Sequence, residues 1–177
     1  MYCTQCKNVP LEPYELEPGL VAAACPQCRG ALLSLINYRF WADRYADSSV
    51  ASTTISEVSE VESAHSCPKC SRLMTKYQIG PETNHKLDLC GACDESWLDK
   101  GEWQLLKTLD LQGKLPKIFT DAWQRNIRKE RQEAMINERY EKMLGEEAFN
   151  KSLEFKTWLY QQPNKEWIKQ FLIIAPE

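Results

Sequence analysis

The chain has 177 residues, a formal net charge of -3 and eight cysteines, and its pI near 5.6 excludes a protein whose whole surface clings to phosphate backbones, because such binding needs a strong cationic field. No apolar run of about eighteen residues and no charged start followed by an apolar stretch is present, so neither a membrane span nor a signal peptide is expected. A cytoplasmic protein built of small modules follows, since the gaps between cysteine clusters are too short for a large core in either cluster alone.

The first element is a zinc ribbon over residues 1–45. Cys3 and Cys6 are followed after eighteen residues by Cys25 and Cys28. Two Cys-x-x-Cys pairs at such a separation fit one tetrahedral site, each pair supplied by a tight turn. Short strands are expected over 14–16 and 21–24, with Pro18-Gly19 as the turn signal. Tyr38, Phe40, Trp41 and Tyr45 then crowd into eight residues. They suit either a stacking platform for bases or a short helix closing the ribbon core, and the helix is expected because aromatic side chains bring the most burial per residue.

Residues 46–66 read as an acidic linker rich in Ser and Thr, with four acidic groups and no Lys or Arg. Its apolar content is too low for a core, although Val50, Ile55, Val58 and Val61 could dock it on a neighbour. A second zinc ribbon follows over 67–104, where Cys67 and Cys70 precede Cys90 and Cys93 by nineteen residues. Strands are expected over 76–79 and 86–89, around the Gly80-Pro81 turn signal. An offset of 65 places lays Cys25 and Cys28 on Cys90 and Cys93, Leu32-Leu33 on Trp97-Leu98, and Tyr38 on Trp103. The chain is therefore an internal repeat. Leu33 and Leu98 are expected to pack over the zinc turns. With four thiolates per site, each Zn2+ has no open position for water or substrate, so both sites serve folding and shape. His65, beside Cys67, is not needed as a ligand.

Residues 105–177 read as a helical domain. Glu102, Leu105, Leu106 and Leu109 recur at helical spacing, Gly113 stops that helix and Pro116 opens the next. A long amphipathic pattern runs from Ile118 to Leu144, Gly145 ends it, and Gln162-Pro163-Asn164 separates two further segments. The expected fold class is small α+β: two ribbons of short antiparallel strands, then a helical hairpin or bundle. Its apolar stripes should bury one another, with Ile173-Ile174 against the bundle or a partner.

Charge is distributed unevenly. Residues 1–104 sum to -5, whereas 105–145 carry nine basic and six acidic residues. Arg125, Arg128, Lys129 and Arg131 form the one cationic cluster there, read either as a solvated helix face laced with i,i+4 pairs or as a phosphate-contacting surface. Lys69, Arg72 and Lys76 are the corresponding candidates on the second ribbon. No catalytic set emerges: His65 and His85 are the only histidines, with no phosphate loop and no His-Glu-x-x-His helix. An enzyme is not expected.

The residues C-P-K-C, L-C-G-A-C and W-L-D-K-G-E resemble the bacterial transcription-factor-type zinc-ribbon family, named after the ribbon of the general transcription factor IIB. Cys67, Cys70, Cys90, Cys93, Trp97, Leu98, Asp99, Gly101 and Glu102 match its pattern, while Glu95 stands where glycine is usual. In the first repeat Cys25, Pro26, Cys28, Gly30 and Leu33 match, Leu32 replaces the tryptophan and Ser34 the aspartate. The resemblance implies tandem zinc ribbons and, by the family's name, transcription. Two functions are carried forward. One is a non-enzymatic zinc-binding adaptor that docks a protein partner, with homo-oligomers possible through the C-terminal helices. The other is a nucleic-acid-binding transcriptional regulator using the cations named above.

Overall fold

The computed structural model describes residues 1–45 and 65–174. The expected linker lies outside the described residues except for His65 and Ser66. The fold is mixed α+β, with one six-stranded antiparallel sheet and six helices among the described residues. No helix among them is long and apolar enough to cross a membrane. The chain divides into two compact units, Met1–Arg128 and Lys129–Glu177.

In the first unit, each repeat contributes three strands. β1 (Glu12–Glu17), β2 (Leu20–Ala24) and β3 (Ala31–Ser34) come from the first, and β4 (Thr75–Gln78), β5 (Lys86–Cys90) and β6 (Glu95–Leu98) from the second. The order is β1-β2-β3-β6-β5-β4, so the repeats join edge to edge through β3 and β6. In that junction Leu32 pairs with Trp97, Ala31 with Leu98 and Leu33 with Ser96. Leu32 and Trp97 are also equivalents under the 65-residue offset, so an approximate two-fold axis passes between them. The duplicated sequence thus folds as a pseudo-dimer within one chain.

Strand alternation decides what each face buries. Leu33 and Leu98 do not pack over the cysteine turns as expected. They point to the opposite face, into a core with Leu20, Tyr38, Ile79, Leu87, Trp103 and Leu106. Leu32 and Trp97, one position earlier, lie against the cysteines instead.

The helix α1 (Leu35–Tyr45) follows β3 and closes the core with Tyr38 and Trp41, leaving Phe40 and Tyr45 outward. The Trp41 indole N–H donates to the Pro18 carbonyl at 3.2 Å, clamping the β1–β2 turn. Tyr38 donates its hydroxyl to the Gln112 carbonyl at 2.7 Å and accepts from the Leu115 amide at 3.2 Å. Those bonds hold the loop between α2 (Glu102–Thr108) and α3 (Leu115–Ile118), where Pro116 sits in the first turn. Residues 105–118, assigned from sequence to a helical domain, therefore pack with the sheet: Leu106, Leu111, Leu115 and Ile118 belong to the same core. The helix α4 (Asp121–Leu144) opens behind Thr120, whose hydroxyl accepts the Trp123 amide at 3.2 Å.

Both sheet edges are blunted. On β4 the Gln124 side chain imitates a neighbouring strand, accepting from the Gln78 amide at 3.1 Å and donating to its carbonyl at 2.9 Å. On β1 Pro13 removes a donor and Glu12, Glu15 and Glu17 add charge.

The second unit comprises the remainder of α4, then α5 (Glu146–Gln161) and α6 (Lys165–Ile174). Gly145 separates the first two, with φ +78. Helix positions follow the sequence reading, but the apolar stripes do not bury one another. Leu159 is the one buried residue of 129–174 among the described residues, and Ile173 is 84% exposed.

Candidate metal centres

Each Cys-x-x-Cys segment folds as a tight turn. The Arg29, Ser71 and Asp94 amides donate to the carbonyls of Cys25, Cys67 and Cys90 at 2.9, 2.8 and 3.0 Å. The residue after each second cysteine is left-handed: Lys7 at φ 41, Arg29 at 60, Ser71 at 63 and Asp94 at 55. The positive φ of the last turn therefore falls on Asp94, a residue type that tolerates it, and Glu95 enters β6 without strain.

These turns bring Cys3, Cys6, Cys25 and Cys28 together, and likewise Cys67, Cys70, Cys90 and Cys93, with the four sulfurs of each set within 4.8 Å of one another. Cys3 Sγ lies 3.7 Å from Cys28 Sγ, and Cys70 Sγ lies 3.5 Å from Cys90 Sγ. Four ligands at about 2.3 Å around a tetrahedral ion sit about 3.8 Å apart. The spacing suits a metal and is far too long for a disulfide. In each set the first cysteine of each pair is buried and the second half-buried.

The thiol electrostatics are compatible with a bound cation. The Arg72 backbone amide, together with neighbouring thiols, draws Cys70 down to about 7. Cys93 is pushed up to about 12 by its hydrogen bond with Cys70 and by burial. One thiolate forms readily and then opposes the next, so all four ionise together only around a positive charge. Both sets could hold one metal ion each.

Between the two sets lies Trp97, 1% exposed. Its ring occupies the space over Gly30 of the other repeat, where an added Cβ would stand 2.4 Å from Trp97 Cζ2. Under the two-fold relation Gly30 corresponds to Glu95 and Trp97 to Leu32. Leu32 is the smaller residue at the position equivalent to Trp97, and Glu95, equivalent to Gly30, accepts from Lys69 Nζ at 2.8 Å. The tryptophan of one repeat and the glycine of the other are a matched pair.

A buried polar set surrounds Trp97. Its indole N–H donates to Asp99 Oδ1 at 2.9 Å, where Gln5 Nε2 also donates at 3.2 Å. His65 lies outside the cysteine set, with Nε2 3.7 Å from Asp99 Oδ2 and its ring 5.9 Å from Trp97. Glu102 is 1% exposed. Its Oε2 accepts from the Asp99 amide at 2.8 Å while its own amide donates back to the Asp99 carbonyl at 3.1 Å, which fixes the start of α2. Glu102 Oε1 and Asp88 Oδ1 have no hydrogen-bond partner among the described residues. Burial holds the Glu102 carboxyl well above the usual carboxylate range, and the nearby charges of Asp99 and Asp88 add to the effect.

The cations singled out from sequence are placed unequally. Lys69 is engaged by Glu95, and Lys76 is ion-paired at 3.0 Å with the buried Asp88. Arg72, Arg125 and Arg128 are exposed. Lys129 lies 3.9 Å from Glu133, and Arg131 is half-buried and engaged. A cleft of about 550 Å³ opens beside the first cysteine set, lined by Glu12, Tyr14, Arg29, Lys100 and Trp103 among others. Sequence reading missed this cleft and the buried acids. Gly30 and Trp97 were visible as motif residues, but nothing in the spacing tied one to the other.

No protein-family model, curated protein or solved structure matches the chain.

Proposed function

We propose that this chain is a non-enzymatic zinc-binding adaptor: two Zn2+ ions, each closed by four thiolates, hold a rigid double ribbon, and the protein acts by docking a protein partner. Zinc suits four sulfurs in tetrahedral array, and the resemblance to transcription-factor-type ribbons points the same way. Closed sites leave the metal no catalytic position. The observation that carries the docking reading is the surface of 129–174, where large apolar side chains such as Trp167 and Phe171 stand 73% and 69% exposed. An extended apolar surface of that kind is a protein-docking signature, whereas phosphate binding needs free cations, and Lys69 and Lys76 are already committed to carboxylates.

The alternative is a transcriptional regulator contacting phosphates through Arg72, Arg125 and Arg128. A titration of zinc-loaded protein against double- and single-stranded DNA and RNA at increasing salt separates the two. The adaptor reading expects no binding at physiological salt. Affinity that persists there, falls steeply with added salt and drops on Arg125→Ala with Arg128→Ala would replace it with the regulator.

A further inference from the structure

The segment 129–174 exposes thirteen large apolar side chains, from Met135 to Ile174, at between 42% and 84% of their full area. At about 150–250 Å² per fully exposed large side chain, the open apolar surface is on the order of 1,500 Å². Helix length bears on the same surface. α6 has 10 residues, a length at which an isolated helix is marginal in water, and helices of this kind and of the 16 residues of α5 draw most of their stability from packing. Leu159 is the one residue of α5 and α6 buried among the described residues, so these helices present apolar faces that a partner can cover.

The charges select among occupants. The segment carries eight basic and eight acidic residues, so the net charge of -3 resides outside it. Its ions are neutralised locally, Glu138 with Lys142 at 2.5 Å, Glu147 with Lys151 at 2.7 Å and Glu166 with Lys169 at 3.0 Å. An anionic lipid surface recruits amphipathic helices through a cationic polar face, which this segment lacks. A second copy meets no like-charge field here, because a neutral surface of interspersed charges faces itself without net repulsion. A standard interface covers about 800 Å² on each partner, roughly half of the apolar surface on offer.

We propose that 129–174 is a homodimerisation segment, in which two copies of the chain bury their exposed helix faces against each other about a two-fold axis. The inference rests on the reading of this surface as protein-docking and names the protein as the chain itself. The dimer would then present two copies of the metal-bearing sheet to any further partner.

Sedimentation velocity of the zinc-loaded full chain over a concentration series tests it. A species of twice 20.5 kDa is expected, and a monomer at every concentration overturns the proposal. Trp167→Glu with Phe171→Glu, at positions 73% and 69% exposed, should return the protein to monomer with its metal content unchanged. A dimer that survives this double substitution overturns the assignment of the surface. Hydrogen exchange on the unmodified chain supplies a readout free of any variant: amide protection should rise with concentration within 129–174, and a rise confined to 1–128 contradicts the proposal. A monomer leaves the adaptor reading standing with a different protein as occupant. A dimer that binds nucleic acid at physiological salt keeps this inference and removes the adaptor reading.

Discussion

Gly30→Ala should be among the costliest single-methyl additions in this protein, for a reason specific to the join between the repeats. Gly30 has no positive φ, so the backbone accepts alanine and the effect is steric. The new Cβ would stand 2.4 Å from Trp97 Cζ2 and 2.9 Å from Cε2, distances that real side chains do not tolerate. Trp97 cannot retreat freely, being buried against the cysteines and Leu32. Overpacking of this kind costs about 1–3 kcal/mol. If the ring tilts, the 2.9 Å bond to Asp99 is strained or lost, adding about 1 kcal/mol. A destabilisation of about 2–4 kcal/mol is expected in urea denaturation at fixed free zinc. Trp97→Leu installs at 97 the residue found at the equivalent position 32 and removes the ring. In that background Gly30→Ala should cost under about 0.5 kcal/mol, a coupling that a double-mutant cycle reads directly. A Gly30→Ala protein as stable as the parent, or an equal cost in both backgrounds, would refute the matched-pair account of the junction.

Glu102→Gln should flatten the dependence of stability on pH. Because the folded state holds the Glu102 proton more tightly than the unfolded chain does, stability falls as pH rises from the ordinary carboxylate value toward the raised one. Glutamine keeps an acceptor for the Asp99 amide without the buried charge, so the variant should match or exceed the parent at the alkaline end. A steeper pH dependence would contradict the assignment. Tyr38→Phe removes the hydroxyl shared by Gln112 and Leu115 and should cost about 1–3 kcal/mol by calorimetry; an unchanged melting temperature would show that the bridge is not formed. Cys90→Ser should lower the bound metal from two ions to one. It should also loosen the first repeat, because β3 pairs with β6. Limited proteolysis would reveal the spread, and cleavage confined to the second repeat would argue that the halves are independent.

The cysteine spacing was legible because a ligand turn is local: four residues determine it, and the 65-place offset announces the repeat. Strands β1, β2, β4 and β5 were legible from turn signals between them. The joining strands β3 and β6 were not. Each has four residues, with burial on both faces, so no apolar-polar alternation marks them. Of the aromatic run expected to close the core, Tyr38 and Trp41 do so while Phe40 and Tyr45 stay exposed, because one helix face meets the sheet and the other meets solvent. Leu33 and Leu98 were placed on the wrong face, because a shift of one residue in a strand reverses every side chain. The C-terminal helices were legible from their period and from Gly145 and Pro163, which say where a helix stops but not what covers it. Asp88 gave no signal, and Glu102, visible as a motif residue in register with the apolar positions of its helix, gave none of its burial: an acid in sequence is a surface residue until neighbours distant in the chain enclose it.

In the proposed protein two four-sulfur sites, each filled by one ion, hold the joined sheet. Native mass spectrometry of the chain purified under reducing conditions, with the mass compared before and after acid denaturation, tests it most directly. Two Zn2+ per chain, both lost together with the folded charge-state distribution on acidification, are predicted. A metal-free chain with the same compact distribution, or a mass lower by the hydrogens of formed disulfides, would contradict the account.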